Sequence, residues 1–468
     1  MKKLLVSATT LVGLLVLSTS AGAPAAGGGK PLKVRGGIVH LVARGDRLYA
    51  GYTLYSGSKA VRGTLYARSD RQRAFARLPL TRSNGYRARV ATRLLRGKQL
   101  FYYAVFRDPK GGRSLTLPAA GARAPAIAWI LDNAVKIRLG THRFGQTRTP
   151  EAVVARARAD EVGWDINEEQ GFHLGPQTLQ VGADRSVWLE DSFNNRLLVW
   201  NAGHPDGIAR AVPVPWGAGM SDVAFGRDGG VYVTRKLLDP LRFVLDKLSA
   251  TTGRLLWERR IGRDYGGGPS GSSYPVIGNG SSLRVGPDGT IYYLVGMGLP
   301  GGEWGWMPVA TPGGSPLAPW VQLGRIDWPL QPPAGGLRLL GPEFYTPHED
   351  TAPHEVRYAL VNRRGRLVRA WRIFSRTEFN FIHRFTPELV GGEPVVALDF
   401  LESDGPRQSW EYEVLRLGRR GARAHFSLSR EIWGEGAPDD LRLGPDGKLY
   451  KLATSPESGI VISRYSLR

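Results

Sequence analysis

Three observations predict an all-β chain, an N-terminal β-sandwich followed by a six-bladed β-propeller. Gly 61 and Pro 32 in 468 residues, with 10% aromatics and no sustained helical periodicity, describe many short strands joined by turns. One pattern recurs four times, in TLQVGADRSVWLED (178–191), DVAFGRDGGVYVTR (222–235), SLRVGPDGTIYYLV (282–295) and DLRLGPDGKLYKLA (440–453). Residues 33 to 120 carry a different rhythm, six or seven alternating apolar strands with a turn every 8 to 12 residues.

Each repeat is an alternating strand, a tight turn on Asp-Gly or a polar substitute, and a second strand with an aromatic near its start. Asp-Gly between alternating runs is a strong hairpin signal, because the turn needs positive φ at low steric cost. The spacing from Gly182 to Gly226 is 44 residues, from Gly226 to Gly286 it is 60, and from Gly286 to Gly444 it is 158. The long interval has room for two further degenerate units, one around LRLLGPEFYTPHE and one around FIHRFTPELVGGEPVVALDFL. Six sheets of this size fit a propeller, whose radial repetition leaves only short edges. The last unit shows three strands, so a fourth is expected from elsewhere in the chain, and AIAWILDNAVKIRLG (126–140) is the natural donor.

The expected organisation is a signal peptide at 1–26, a β-sandwich at 33–120 and a propeller at 122–468, with PAAGARAPA (118–126) as a short linker. Lys2 and Lys3, the apolar run Leu4–Leu17 and the small residues Ala21, Ala23 and Ala26 have the make-up of a secretory signal. The apolar run is too short to span a membrane, and no later run is long enough. Export places the mature chain outside the cell or in its envelope. The chain contains no cysteine, which excludes disulfides, thiolate metal sites and a lipid anchor on cysteine. The net charge of +22 is spread rather than gathered in a tail, and it favours contact with polyanions. No nucleic-acid motif accompanies the charge, so nucleic acid is not expected, and the partner is a protein, a glycan or an anionic envelope polymer.

GPQTLQVGADRSVWLEDSFNNRLLVW (175–200) resembles an NHL repeat in its order of strand, turn, strand, Asp-x-x-Asn-x-Arg and strand. The match is partial at 221–262, 281–298 and 439–466. QLFYYAVFRDPKGGRSLTLP resembles the late strands of immunoglobulin-like or fibronectin type III-like modules. Propellers with NHL-like blades include scaffolds, ligand binders, lactonases of the gluconolactonase type and a copper- and zinc-dependent lyase, so the resemblance implies a fold and leaves function open. Asp191, Asn194, Asn195 and Arg196 are expected to turn a corner, because Asp and Asn bond turn backbone and Arg can bind the carboxylate.

The resemblance implies that ligands bind the face carrying the loops between second and third strands. Those loops hold Asp191, Asp239, Glu303, Trp304, Trp306, His348, Glu349, Asp350, His354, Glu355, Glu402, Asp404 and Glu457, an acidic and tryptophan-bearing set on a basic chain. Such a set suits a divalent cation, a sugar on an indole or a cationic partner, and the same carboxylates also serve as turn caps and arginine partners. Asp222 and Asp440 begin inner strands at equivalent positions and are the candidate metal ligands at the channel mouth. His383 is a candidate channel base or a core residue. No G-x-S-x-G elbow is present, and RDYGGGPSGSSYPVIGNGSS (263–282) lacks the Lys and helix of a phosphate loop, so it reads as an entrance loop. The expected function is binding or interaction through the loop face, with a metal-dependent hydrolase or lactonase of the gluconolactonase type as the alternative.

Overall fold

The computed structural model describes residues 32–468 apart from 39, 84, 111, 168–171, 177, 216–219, 227, 239–240, 261–274, 277–282, 287, 298–303, 317–336, 346–353, 363, 381–387, 405–406 and 433–439. The chain is all-β. Among the described residues, no helix is long and apolar enough to cross a membrane.

The N-terminal unit is a sandwich. Strands Lys33–Gly37, Tyr49–Ser56 and Tyr86–Arg89 form one sheet, and Arg62–Ser69, Gln99–Asp108, Arg113–Leu117, Ala126–Ile130 and Leu41–Val42 form the other. Ala76–Arg82 passes from one to the other, pairing first with Arg62–Ser69 and then with Tyr86–Arg89. Alternation places Leu65, Ala67, Leu100, Tyr102, Ala104 and Phe106 in the shared core. The sandwich does not stop at 120. Arg113–Leu117 and Ala126–Ile130 lie along the same edge of Gln99–Asp108, so 118–125 is a connection within this sheet rather than a linker.

Six further sheets, each assigned four strands among the described residues, make the blades. Blade 1 holds 179–213, blade 2 holds 220–260, blade 3 holds 275–310, blade 4 holds 338–375, blade 5 holds 388–429 and blade 6 holds 441–465. Within blade 3, Pro275–Val276 and Leu283–Val285 are two pieces along one edge of Ile291–Met297, and Trp304–Ala310 pairs on the other edge. Apolar side chains close the seams between blades. Trp188, Val199, Val223 and Val233 join blades 1 and 2, Tyr232, Leu245, Ile291 and Tyr293 join 2 and 3, and Tyr412, Val414, Leu441 and Leu449 join 5 and 6. Leu189 and Trp200 of blade 1 meet Tyr450 and Ile462 of blade 6, which closes the ring.

The four repeats fold into the same turn. The N–H groups of Gly182, Gly226, Gly286 and Gly444 donate to the carbonyls of Ser186, Gly230, Thr290 and Lys448. Asp184, Asp228, Asp288 and Asp446 each accept the backbone N–H two residues on. Gly229, Gly289 and Gly447 take φ values of 75°, 81° and 68°, and in blade 1 Arg185 occupies that place at 65°.

The donor strands differ from expectation. Residues 126–140 divide, the first part ending the sandwich and Val135–Gly140 pairing in parallel with Leu367–Ser375 as the outermost strand of blade 4. Blade 6 is instead completed by Ala152–Ala157, antiparallel to Gly459–Tyr465. Together these strands make residues 135–164 a belt around the outside of the ring. His142 binds blade 5, Arg148 N–H donates to Ser427 O, Glu151 N–H donates to Arg464 O, and the Trp200 indole donates to Arg156 O at 3.0 Å. The expectation of one donor at 126–140 failed because a strand donated to an edge needs only five or six residues, and two such pieces flank an unremarkable polar loop.

Candidate functional site

Inner strands of three repeats carry a long polar residue, Gln180, Arg284 and Arg442, two residues after Thr178, Ser282 and Asp440, while the fourth carries Asp222 followed by Ala224. Thr178, Gln180, Asp222, Arg284 and Arg442 meet where the blades converge, and Asp440 turns to Tyr412 instead. The Asp222 carboxylate is buried, and its Oδ1 accepts the Thr178 hydroxyl at 2.8 Å, the Val223 N–H at 2.8 Å and Arg442 Nη2 at 2.6 Å. Its Oδ2 accepts the Leu283 N–H at 2.6 Å and faces Arg284 Nη1 at 3.7 Å. One carboxylate thus joins blades 1, 2, 3 and 6. Burial pushes the Asp222 carboxyl up to about 6, opposed by Arg284, the Leu283 and Val223 N–H groups and the Thr178 hydroxyl. Arg442 is as deeply buried, and its Nε donates to Leu179 O at 3.0 Å.

Glu190 lies beside this cluster on the second strand of blade 1. Its carboxyl is buried and, among the described residues, Oε2 has no hydrogen-bond partner. Burial, then the Asp222 charge, push it up to about 8, against a hydrogen bond with Ser192. At neutral pH the neighbours therefore divide their roles, Asp222 charged and paired, Glu190 protonated. Sequence reading missed Glu190, Arg284 and Arg442. The recurring polar third position was the available signal for the arginines, and the neighbouring Glu190 and Asp191 at a strand end, which alternation sends to opposite faces, was the signal for the acid.

The corner motif is local structure. Asp191 accepts Arg196 Nε at 2.7 Å, Asn194 Nδ2 at 2.9 Å and the Gly163 N–H at 2.8 Å, while Asn195 adopts φ 47°. Asp440 is also buried, but both its oxygens accept the Tyr412 hydroxyl, at 2.8 and 2.9 Å. Asp222 and Asp440 thus belong to separate hydrogen-bond sets. Among the described residues, no three His, Asp or Glu side chains are grouped to hold a metal ion.

The other loop-face candidates scatter. Glu402 is exposed, and Glu402 and Asp404 belong to the strand Glu393–Asp404 rather than to a loop. Trp304 and Trp306 lie on Trp304–Ala310, opposite Gly296 and Leu294. Glu355 begins a strand and is neutralised by Arg357 and Arg372, both at 2.6 Å, while His354 is exposed. Burial works against the Glu355 charge, but those two hydrogen bonds outweigh it and hold the carboxyl below its ordinary value. Glu457 caps the Ser455 turn. Asp239, Glu303, His348, Glu349, Asp350 and His383 lie outside the described residues.

A second polar cluster fixes the belt to blade 5. His142 Nδ1 meets Glu413 Oε1 at 2.8 Å and its Nε2 meets Glu411 Oε2 at 3.0 Å, with the ring stacked on Phe400. His425 Nε2 meets the other Glu413 oxygen at 2.6 Å. Burial works to raise the Glu413 carboxyl, but hydrogen bonds from His142 and His425 outweigh it and hold it at about 2. The same bond to Glu413 raises His425, against burial.

No protein-family model matches the chain, and no curated protein matches it. Among solved structures, the crystal structure of a protein from Lactobacillus plantarum aligns with 72% of this chain and 85% of that one, at 12% identity and a TM-score of 0.24. An alignment of that score carries no inference about this chain.

Proposed function

We propose that the chain is an exported binding protein, acting at or outside the cell envelope through the loop face of a propeller with NHL-like blades, behind an immunoglobulin- or fibronectin-like module. The observation that carries this reading is the state of Asp222. A metal-dependent lactonase of the gluconolactonase type needs free acidic oxygens converging on the channel. Here the central carboxylate is taken up by Arg442, Thr178 and two backbone N–H groups, and a guanidinium stands where a cation would have to sit. Asp440 accepts the Tyr412 hydroxyl and belongs to a separate set, so the two acids do not converge on one ion. The residues present therefore do not fit a divalent cation, and the centre of the ring is a structural hub.

Binding is left to the periphery of the face. The signal-like N-terminus supports export, and the charge of +22 supports an anionic partner, with envelope polymer as the class. The test is co-sedimentation of the purified mature chain with envelope polymer over a salt series, with elemental analysis of the same preparation. Salt-sensitive retention and no stoichiometric metal are expected. A stoichiometric metal, with divalent-dependent turnover of a lactone, would overturn the reading.

A further inference from the structure

We propose that the crevice between blades 5 and 6 is a binding site for an anionic saccharide unit, a uronate or a sugar phosphate. The proposal rests on the binding reading above and names its ligand class.

A seam between propeller blades is ordinarily closed by apolar side chains, and deeper in this seam Val414, Leu428, Leu441 and Leu449 do close it. Towards the loop face it opens into a cavity of about 600 Å³, within the range of ligand sites rather than of packing defects. Three parts of the chain build its walls, the belt, the end of blade 5 and the second and third strands of blade 6. Hydroxyls dominate the lining, with Thr147 and Thr149 from the belt, Ser429 from blade 5, and Ser455, Ser458 and Ser463 from blade 6. Hydroxyls both donate and accept, which matches the alternating demands of a polyol.

Two cations set the sign of the ligand. Lys451 is buried at 4% exposure, and its ammonium donates to Ser429 Oγ and Glu431 Oε2, each at 3.1 Å. An ammonium has three N–H groups, so one donor remains after those two bonds. The Arg148 guanidinium lies 4.6 Å from the Phe426 ring centroid and acts on the Glu151 carboxylate through space, without an ion-pair contact among the described residues. The single lining acid, Glu431, is already held by Lys451 and Ser429. A half-buried floor of Ala453 and Val461 offers an apolar patch for a sugar face. A neutral polyol would leave the cations unused, and a bare anion would leave the hydroxyls unused.

The test is calorimetric titration of the full mature chain with glucuronate, glucose 6-phosphate, glucose and inorganic phosphate. Saturable binding of at least one anionic sugar is expected, with glucose and phosphate each weaker by about tenfold or more. Arg148→Ala is expected to weaken that binding by about tenfold and to lower the melting temperature only slightly, since the half-buried side chain gives up a single cation–π contact with Phe426. Ala453→Trp, which fills the cavity, is expected to abolish it. Absence of binding by both anionic sugars, equal affinity for glucose or for phosphate, or binding indifferent to both substitutions would overturn the proposal. Envelope polymer retained equally by the Ala453→Trp chain would sink the crevice while leaving the broader binding reading intact. Loss of polymer retention by the native chain, with sugar binding preserved, would do the reverse.

Discussion

Arg357 of blade 4 grips Asp46 of the sandwich through both guanidinium nitrogens, at 2.5 and 2.9 Å, in a contact buried on both sides. The same Arg donates to Leu41 O and to Glu355, and Leu41, Trp129 and Leu131 pack on Leu340, Ala359 and Val361 around it. Removing the guanidinium leaves the buried Asp46 carboxylate without its cation, whereas Glu355 keeps Arg372, and breaking a buried pair in this way costs about 3–5 kcal/mol. Arg357→Met is therefore expected to lower the main calorimetric transition and to split the melting of sandwich and propeller into two steps. A single unshifted transition would show that the apolar contact alone couples them.

The cluster that fixes the belt predicts a stability optimum in mildly acidic solution. Glu413 titrates lower in the folded chain, at about 2, than when unfolded, so its contribution is present above the unfolded carboxyl range and is lost as pH falls towards 2. His425 titrates higher when folded, so its contribution is complete below the unfolded histidine range and disappears as pH rises through its raised value. Melting temperature should accordingly decline below about pH 4.5 and again above about pH 6.5, the ordinary titration ranges of the two groups. His425→Gln should lessen the decline above about pH 6.5, leaving the part that Glu190 contributes up to about pH 8, and keep most of the acid one. Denaturation scans across pH for both chains decide this.

Glu190 gives the opposite sign for an acid. The folded chain holds its proton up to about pH 8, whereas the unfolded chain releases it near pH 4.5, so folding loses stability across that interval as pH rises. Glu190→Gln, which keeps the neutral shape and cannot ionise, should be more stable than the native chain at pH 9 and nearly equal to it at pH 5. Urea midpoints at the two pH values measure it, and a variant less stable at both would mean that the carboxylate is the form the fold requires.

The turn of blade 1 carries a residue unsuited to it. Arg185 stands at φ 65° where the matching turns use glycine. A left-handed conformation costs a non-glycine residue about 1–2 kcal/mol, part of which glycine loses again through its flexible unfolded chain. Arg185→Gly should stabilise the protein by about 0.5–1 kcal/mol, read as a higher urea midpoint. The same change at Asn195 should gain less, because asparagine tolerates this region.

What was legible in the sequence was whatever is local. Asp-Gly turns, alternating strands and the Asp191 corner each lie within a dozen residues, and each folds as its chemistry dictates. The belt was not legible, because Val135–Gly140 and Ala152–Ala157 are short strands whose partners lie more than 230 residues away. Residues 118–126 read as a linker because Pro and Ala say nothing of the shared strand edge on either side. At the channel mouth the acids were visible and their partners were not. Asp222 was singled out, but Arg442 lies 220 residues along the chain, and only closure of the ring brings the two together. Glu355 read as part of an acidic loop, whereas the strand it opens delivers Arg357 to it and the neighbouring strand delivers Arg372.

The most direct test of the structural hub is a double-mutant cycle on Asp222→Asn and Arg442→Met, with denaturant unfolding measured for the native chain, each single variant and the pair. The account predicts that each single change costs about 3–5 kcal/mol. It also predicts that the double variant loses less than the sum, a coupling of about 1–3 kcal/mol, because the two charges satisfy each other directly at 2.6 Å. Additive losses with no coupling, or an Asp222→Asn chain of native stability that has lost a bound divalent metal, would contradict it and return the channel mouth to the metal-dependent enzyme.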